Sequence, residues 1–304
     1  MSARVSCVGV AVLDLVYEID HFPADDAKIV ARDLHEVGGG MAANAAVTVA
    51  RLGGQAQWFG RLGNDDRARR ILAGLEAERV AVGAVRLIDG VVSSHSVVMV
   101  DAQGRRIVVL FRPADLPAAP DWLDLDHVLD CDALLADIRW PEAAEHVLAS
   151  ARRRGVPGVL DADIADPACY DAPVAAASHA IFSRDGLCAA SGTADIDEGL
   201  RRIAGRTDAF LAVTLGLEGV AWRRDGHVLR LAAHRIVARD TLAAGDVFHG
   251  AFALALAEGQ AAEAALVFAN AAAAVKCSRP GGRLGIPERA EVERLLATAP
   301  AMIV

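Results

Sequence analysis

This chain has little that marks an extracellular, membrane-bound or nucleic-acid-binding protein. Its five cysteines, Cys7, Cys131, Cys169, Cys188 and Cys277, are scattered and form no C-x-x-C pair. An odd count without metal-ligand spacing implies reduced thiols in a cytoplasmic setting. No apolar run is long enough to span a bilayer, and Met1-Ser2-Ala3-Arg4-Val5 leads straight into a strand pattern. Neither a membrane association nor a signal peptide is therefore expected. Positive charge is in deficit: 31 Lys+Arg against 40 Asp+Glu leave a net charge of −9, which argues against nucleic acid as a general partner. Low-complexity linkers and internal repeats are also missing, so a single domain over 1–304 is predicted.

What the chain does have is material for a core. Its 304 residues are many for an average domain but ordinary for a large α/β one. Hydrophobic residues make up 54%, with alanine and leucine supplying much of that and favouring helix. Short apolar runs (Val5–Val12, Gln57–Gly60, Ala133–Ala136, Gly158–Asp161, Ala180–Phe182, Phe210–Thr214) alternate with helical stretches (Ala42–Leu52, Ala68–Glu78, Glu142–Arg154, Asp197–Ala204, Asp246–Glu258, Ala262–Cys277). That alternation predicts an α/β fold, a mostly parallel central sheet flanked by helices on both faces. Tyr17–Glu36 and Ser93–Phe111 break the pattern. They read as extended and alternating, the second with a turn at Asp101-Ala102-Gln103-Gly104.

Two segments carry chemistry. Asp240-Thr241-Leu242-Ala243-Ala244-Gly245-Asp246 opens the apolar helix that follows, with a carboxylate in the first turn. The unpaired amides of such a helix start bind anions, and an adjacent aspartate can take a proton from a hydroxyl, a layout that suits phosphoryl transfer to an alcohol. The plainer alternative is a helix cap, with Gly245 present for tight packing. Near the other end, Val37-Gly38-Gly39-Gly40-Met41-Ala42-Ala43-Asn44 puts three glycines before a small-residue helix, which lets backbone approach a ligand. It does not have the G-x-G-x-x-G spacing.

Together the two segments resemble the paired signatures of the ribokinase (phosphofructokinase B) family of carbohydrate kinases, in the family's order and over nearly the whole chain. The resemblance implies a ribokinase-like fold in which 17–36 and 93–111 build a small β-sheet lid over the sugar site. It implies ATP and Mg2+ as cofactors, with sugar and ATP as small-molecule partners. Asp246 would be the catalytic base, and the amides of Ala243, Ala244 and Gly245 the anion hole. Asp14, at the end of the first strand, would hold vicinal hydroxyls, with Gly39, Gly40 and Asn44 lining the same pocket. The plainer alternatives are a strand-end turn acid for Asp14 and a tie for the glycine turn for Asn44. On the nucleotide side the resemblance places Thr214, Gly216, Gly219 and Asn270, although Ala271–Ala274 also read as a plain packing helix. Asp240, with carbonyls around Leu242 and from Cys277 to Gly282, matches a monovalent-cation (K+) site. Ser183 and Gly186 stand where many relatives have Asn-x-x-Glu, a departure that bears on Mg2+ placement and leaves Asp185 as the nearby acid.

Local strings around Arg32–Gly40, Leu135–Trp140, Asp246–Ala251 and Lys276–Pro287 look most like the sulfofructose kinase branch, which acts on an anionic ketohexose. Arg139 and Lys28 would then meet the substrate's anion. Leu110 departs from that branch, leaving a neutral ketohexose, a ketohexose phosphate or another sugar open. A nucleoside kinase on the same fold would need an aromatic slot from Phe111, Trp140 or Trp58. A non-catalytic sugar-binding relative is the third reading. A homodimer through the lid is expected, with Val97, Val98, Val108 and Val109 against the partner.

Overall fold

The first apolar run divides at Gly9. In the computed structural model, which describes residues 2–82 and 84–298, the strand expected over Val5–Val12 becomes β1 (Arg4–Val8) and β2 (Val12–Glu18). Gly9 has φ +152°, and a Cβ there would lie 2.0 Å from Asp137 Oδ2. Across Gly9–Ala11 the chain passes out of one sheet and into another. Asp14 accordingly lies within the second strand and not at the end of the first, which corrects the reading from sequence. Met1 and 299–304, the ends of the expected 1–304 domain, lie outside the described residues.

The remaining strands are β3 (Asp33–Gly39), β4 (Gln55–Gly63), β5 (Val85–Ile88), β6 (His95–Val100), β7 (Arg106–Phe111), β8 (Ala133–Asp137), β9 (Gly158–Ala162), β10 (His179–Ser183), β11 (Phe210–Thr214), β12 (Val220–Arg224) and β13 (His227–Leu231). Nine of them form a sheet in the order β13-β12-β11-β10-β9-β8-β1-β4-β5. It is parallel from β5 to β11, and β12 and β13 close one edge as an antiparallel hairpin. Sequence periodicity did not reveal that edge. The other four pair as β3-β2-β6-β7, a separate small sheet. Only the ends of Tyr17–Glu36 join it, since residues 19–32 form no strand. The β6–β7 turn falls as predicted: Asp101 Oδ1 accepts the amides of Gln103 and Arg105, and Gly104 takes φ +78°.

Strands buried on both faces need apolar residues at successive positions. Cys7, Leu135, Val159, Ile181 and Ala212 point into a core shared with helices Met41–Arg51, Asp66–Ala77, Ala244–Ala257 and Ala262–Cys277. Their neighbours Val8, Leu134, Leu160, Phe182 and Val213 point into a second core beneath Pro141–Arg154, Arg184–Ser191 and Ile196–Ala204. The sheet is thus covered on both sides, as the alternation predicted. Among the described residues no helix is long and apolar enough to cross a membrane.

Helix starts differ in how they are capped. Asp65 and Asp195 cap their helices through side-chain oxygens. The two motif helices have Gly40 and Ala243 at the N-cap and no side-chain cap. These helices also pack on each other closely. A Cβ on Gly250 would meet the Ala45 carbonyl oxygen at 2.6 Å, so even an added methyl overpacks this crossing, at a cost of ~1–3 kcal/mol.

Candidate active site

Three aspartates at the carboxyl ends of the strands and at the start of the second motif helix, Asp137, Asp161 and Asp246, organise the site, where open α/β sheets bind ligands. Asp137, the last residue of β8, is fully buried. Its carboxylate accepts the amides of Val10 (2.8 Å), Ala42 (3.1 Å) and Arg139 (3.0 Å). It thereby ties the Gly9 turn and the first motif helix to the sheet. Burial pushes it up to about 6 in spite of those three donors. Asp161 in β9 is buried, and one of its oxygens, 3.4 Å from His249 Nδ1, has no hydrogen-bond partner among the described residues. Burial, and next the charge of Asp246, hold it well above the ordinary carboxylate range.

Asp246 lies in the first turn of the helix Ala244–Ala257. Asn44 Nδ2 donates to its Oδ2 at 2.6 Å. Burial pushes the carboxyl up to about 7; Asp163 and Asp137 add to the rise, while the Asn44 hydrogen bond and Arg283 oppose it. A carboxylate poised near neutrality suits general-base work. Beside it, Ala243 adopts a left-handed conformation, φ +64°. Of the three amides expected to form an anion hole, that of Ala244 donates instead to the Thr241 carbonyl at 3.2 Å. Among the described residues nothing accepts from the amides of Ala243, Gly245 or Asp246, so these three are available to an anion. A Cβ on Gly245 would meet nothing within 4 Å. Its glycine keeps space open and serves no packing role.

A cavity of about 190 Å³ lies on one side of this helix start, lined by Asp14, Gly40, Asn44, Ser96, Arg112, Arg139, Asp163, Ala243 and Asp246 among others. Ser96 Oγ donates to Asp14 Oδ1 at 2.6 Å. Gly39 stands behind Asp14, where a Cβ would come within 2.1 Å of its carboxylate, and Gly40 takes φ +94° against the Val10 carbonyl. Arg283, which sequence reading did not single out, is buried and donates to Asn44 Oδ1 (2.8 Å) and the Gly39 carbonyl (3.0 Å), so it holds both glycine turn and asparagine in place. Arg139 reaches Asp163 at 3.1 Å. Arg112 was also missed. Lys28, by contrast, is exposed and does not line the cavity.

A second cavity of about 220 Å³ lies on the other side, lined by Thr214, Gly216, Gly219, Ala244, Gly245 and Asn270 together with His234 and Phe248. Asn270 Nδ2 donates to the Ala232 carbonyl (2.9 Å), and a Cβ on Gly219 would meet the Leu231 carbonyl oxygen at 2.0 Å. His234 Nε2 is buried there with no hydrogen-bond partner among the described residues. Ser183 does not line this cavity. It caps the helix Arg184–Ser191, its Oγ accepting the Gly186 amide at 3.0 Å. A side chain at 186 would run into the Ala162 carbonyl oxygen at 2.1 Å, and Asp185 is exposed. At Asp240, where the resemblance implies a K+ site, the Lys276 ammonium lies against the carboxylate at 3.0 Å.

Comparison with known proteins agrees with this geometry. The chain belongs to the pfkB family of carbohydrate kinases, whose family model matches residues 2–289. It is 29% identical over 300 residues to the ribokinase of Bacillus subtilis, covering 97% of this chain and 99% of that one. It is 30% identical over 323 residues to the fructokinase of Klebsiella pneumoniae, covering 97% and 100%. The structure of Arabidopsis thaliana ribokinase complexed with ribose and ATP superposes with a TM-score of 0.82 at 26% identity, covering 97% of this chain and 99% of that one. The fold is ribokinase-like, and the protein is an ATP-dependent carbohydrate kinase.

Proposed function

We propose that this kinase transfers the γ-phosphoryl group of ATP to a hydroxyl of a ketohexose-type sugar that carries an anionic group. The observation that carries the reading is a pair of guanidiniums in the acceptor cavity. Arg112 and Arg139 both line it. Arg112 has no hydrogen bond or ion pair among the described residues, and its ionisation is pushed down by burial and then by the positive charge of Arg139. Arg139 is paired with Asp163, and Asp137 and Asp163 offset part of the charge on Arg112; two like charges facing one space still favour an anion between them.

In this reading the sugar lies in the cavity of Asp14 and the ATP phosphates approach from that of Gly245. Asp14, fixed by Ser96, accepts hydrogen bonds from sugar hydroxyls, and Asn44 holds Asp246 toward the acceptor. Asp246 takes the hydroxyl proton as the oxygen attacks. The free amides of Ala243, Gly245 and Asp246 receive the charge of the transferred group. Among the described residues no cluster of three or more His, Cys, Asp or Glu is arranged for a metal. That fits a Mg2+ held mainly by nucleotide phosphates, where it neutralises charge. The nucleoside reading lacks its aromatic slot. Trp58 and Trp140 are fully buried, and neither they nor Phe111 lines the acceptor cavity.

The reading also includes a homodimer through the lid. β7 is an edge strand, and Ile107, Val109 and Phe111 are 46%, 61% and 45% exposed. Val98 and Val108 line the acceptor cavity, leaving Val97 and Val109 of the four expected residues for a partner. The test of substrate class is kcat/KM for a matched anionic and neutral ketohexose in wild type, Arg112→Ala and Arg139→Ala. Losing a charged hydrogen bond costs ~1.5–3 kcal/mol, about one to two decades, for the anionic sugar alone. Equal losses for both sugars would make the arginines structural and the neutral sugar the better substrate class.

A further inference from the structure

Resemblance to the family led to a monovalent cation at Asp240, and the residues present do not fit one. Lys276, the penultimate residue of the helix Ala262–Cys277, is 0% exposed. Its Nζ donates to two atoms of Asp240, the main-chain carbonyl oxygen and Oδ2, both at 3.0 Å. The carbonyl of Cys277, another expected cation ligand, already accepts the amides of Arg239 (2.8 Å) and Asp240 (3.2 Å). A cation entering here would share its oxygens with a buried ammonium, and like charges at that range repel strongly where water is excluded.

We propose that the Lys276 ammonium is a built-in replacement for the monovalent cation, so that this kinase works without K+ or Na+. The surroundings show what the charge holds. Asp240 Oδ1 accepts the Leu242 amide at 2.8 Å, and Oδ2 accepts the Gly282 amide at 2.8 Å. Through Asp240, Lys276 therefore fixes the start of the segment Leu242–Asp246, in which the amides of Ala243, Gly245 and Asp246 are free for an anion, and links it to the loop that carries Arg283. Arg106 of the lid strand β7 reaches the same carboxylate at 3.4 Å. The chain has two lysines, Lys28 and Lys276, among its 31 basic residues. A compact ammonium on an unbranched stem is closer in size to an alkali cation than a guanidinium fork is. Lys276 is a positioning residue: it lines neither cavity itself and acts through Asp240.

The test compares activity in an alkali-free buffer, with tetramethylammonium chloride holding ionic strength, against the same buffer titrated with KCl. Wild type is expected to keep kcat and both KM values within about twofold across the titration. Lys276→Ala, which vacates the site, is expected to lose about tenfold or more in kcat/KM without K+ and to recover on adding KCl, but not on adding tetramethylammonium. Its thermal midpoint should rise with KCl while that of wild type stays flat, as a ligand bound only to the native state requires. Strong activation of wild type by K+ overturns the proposal. So does a Lys276→Ala protein that is folded and fully active in alkali-free buffer. If Lys276→Ala does not fold, the wild-type titration decides by itself.

Discussion

Replacing Asp246 by Asn is predicted to make the protein more stable as well as inactive, and the two effects have one cause. The wild-type carboxyl is raised from 3.8 to about 7, first of all by burial. Between those values the unfolded chain has lost the proton and the folded chain has kept it. Folding stability therefore falls as pH rises from about 4 to about 7, then levels off. Three units at 1.36 kcal/mol each bound the loss at ~4 kcal/mol, an upper figure because the site opens to the cavity. The substituted amide has no such titration and can still accept from Asn44 Nδ2. In urea unfolding at a series of pH values, the mutant's advantage over wild type should be near zero at pH 4, grow through pH 7 and then hold constant. Other groups common to both proteins largely cancel in the difference, although Asp161, raised in part by Asp246, will shift down in the mutant. In the same protein kcat should fall by on the order of a hundredfold or more, from loss of the base. Wild-type kcat/KM should drop on the acid side, about tenfold per unit below about pH 7. Parallel stability curves, or near-normal turnover in the mutant, would refute the reasoning.

Three further outcomes are expected. Ala243→Gly removes the left-handed strain at φ +64° and should stabilise the folded protein by up to ~1 kcal/mol in urea titration, with activity kept. Gly40→Ala places a Cβ 2.5 Å from the Val10 carbonyl oxygen at φ +94° and should cost more than ~1 kcal/mol while lowering kcat/KM, since it shifts the helix that bears Asn44. His234→Ala takes away an unpartnered ring nitrogen in the donor cavity; steady-state kinetics should show KM for ATP up by about tenfold with KM for the sugar unchanged.

Structure and function were legible in the sequence where neighbours in the chain carry them. The helix Ala262–Cys277 and strand Phe210–Thr214 fall where periodicity placed them, and Gly40, Asn44, Ala243 and Asp246 do meet in one cavity. The sheet edge β12–β13 stayed hidden because its short strands alternate weakly, with Arg223, Arg224 and Arg230 interrupting the apolar pattern. Asp137, Arg283 and Lys276 were illegible for a different reason. Each acts on a segment far away in the chain: Asp137 on Val10, Arg283 on Asn44 and Lys276 on Asp240. In the sequence each is one polar residue in an apolar or loop stretch, and only folding supplies its partner. Gly9 shows the same limit, since its need for glycine arises from Asp137 and not from its own neighbours.

The segment Thr241–Asp246 is a wall one backbone thick. Leu242, Ala243 and Asp246 face the acceptor cavity, Thr241, Ala244 and Gly245 face the donor cavity, and the two linings share no residue. Specificity on the two sides is therefore separable in heredity. On the proposed reading, substitutions that line only the acceptor cavity can retool the choice of sugar without changing a residue that lines the donor cavity, and drift at Asn270 or His234 changes no residue that lines the acceptor cavity. On that reading, such a partition would let one lineage exchange acceptors while it inherits a single phosphate donor.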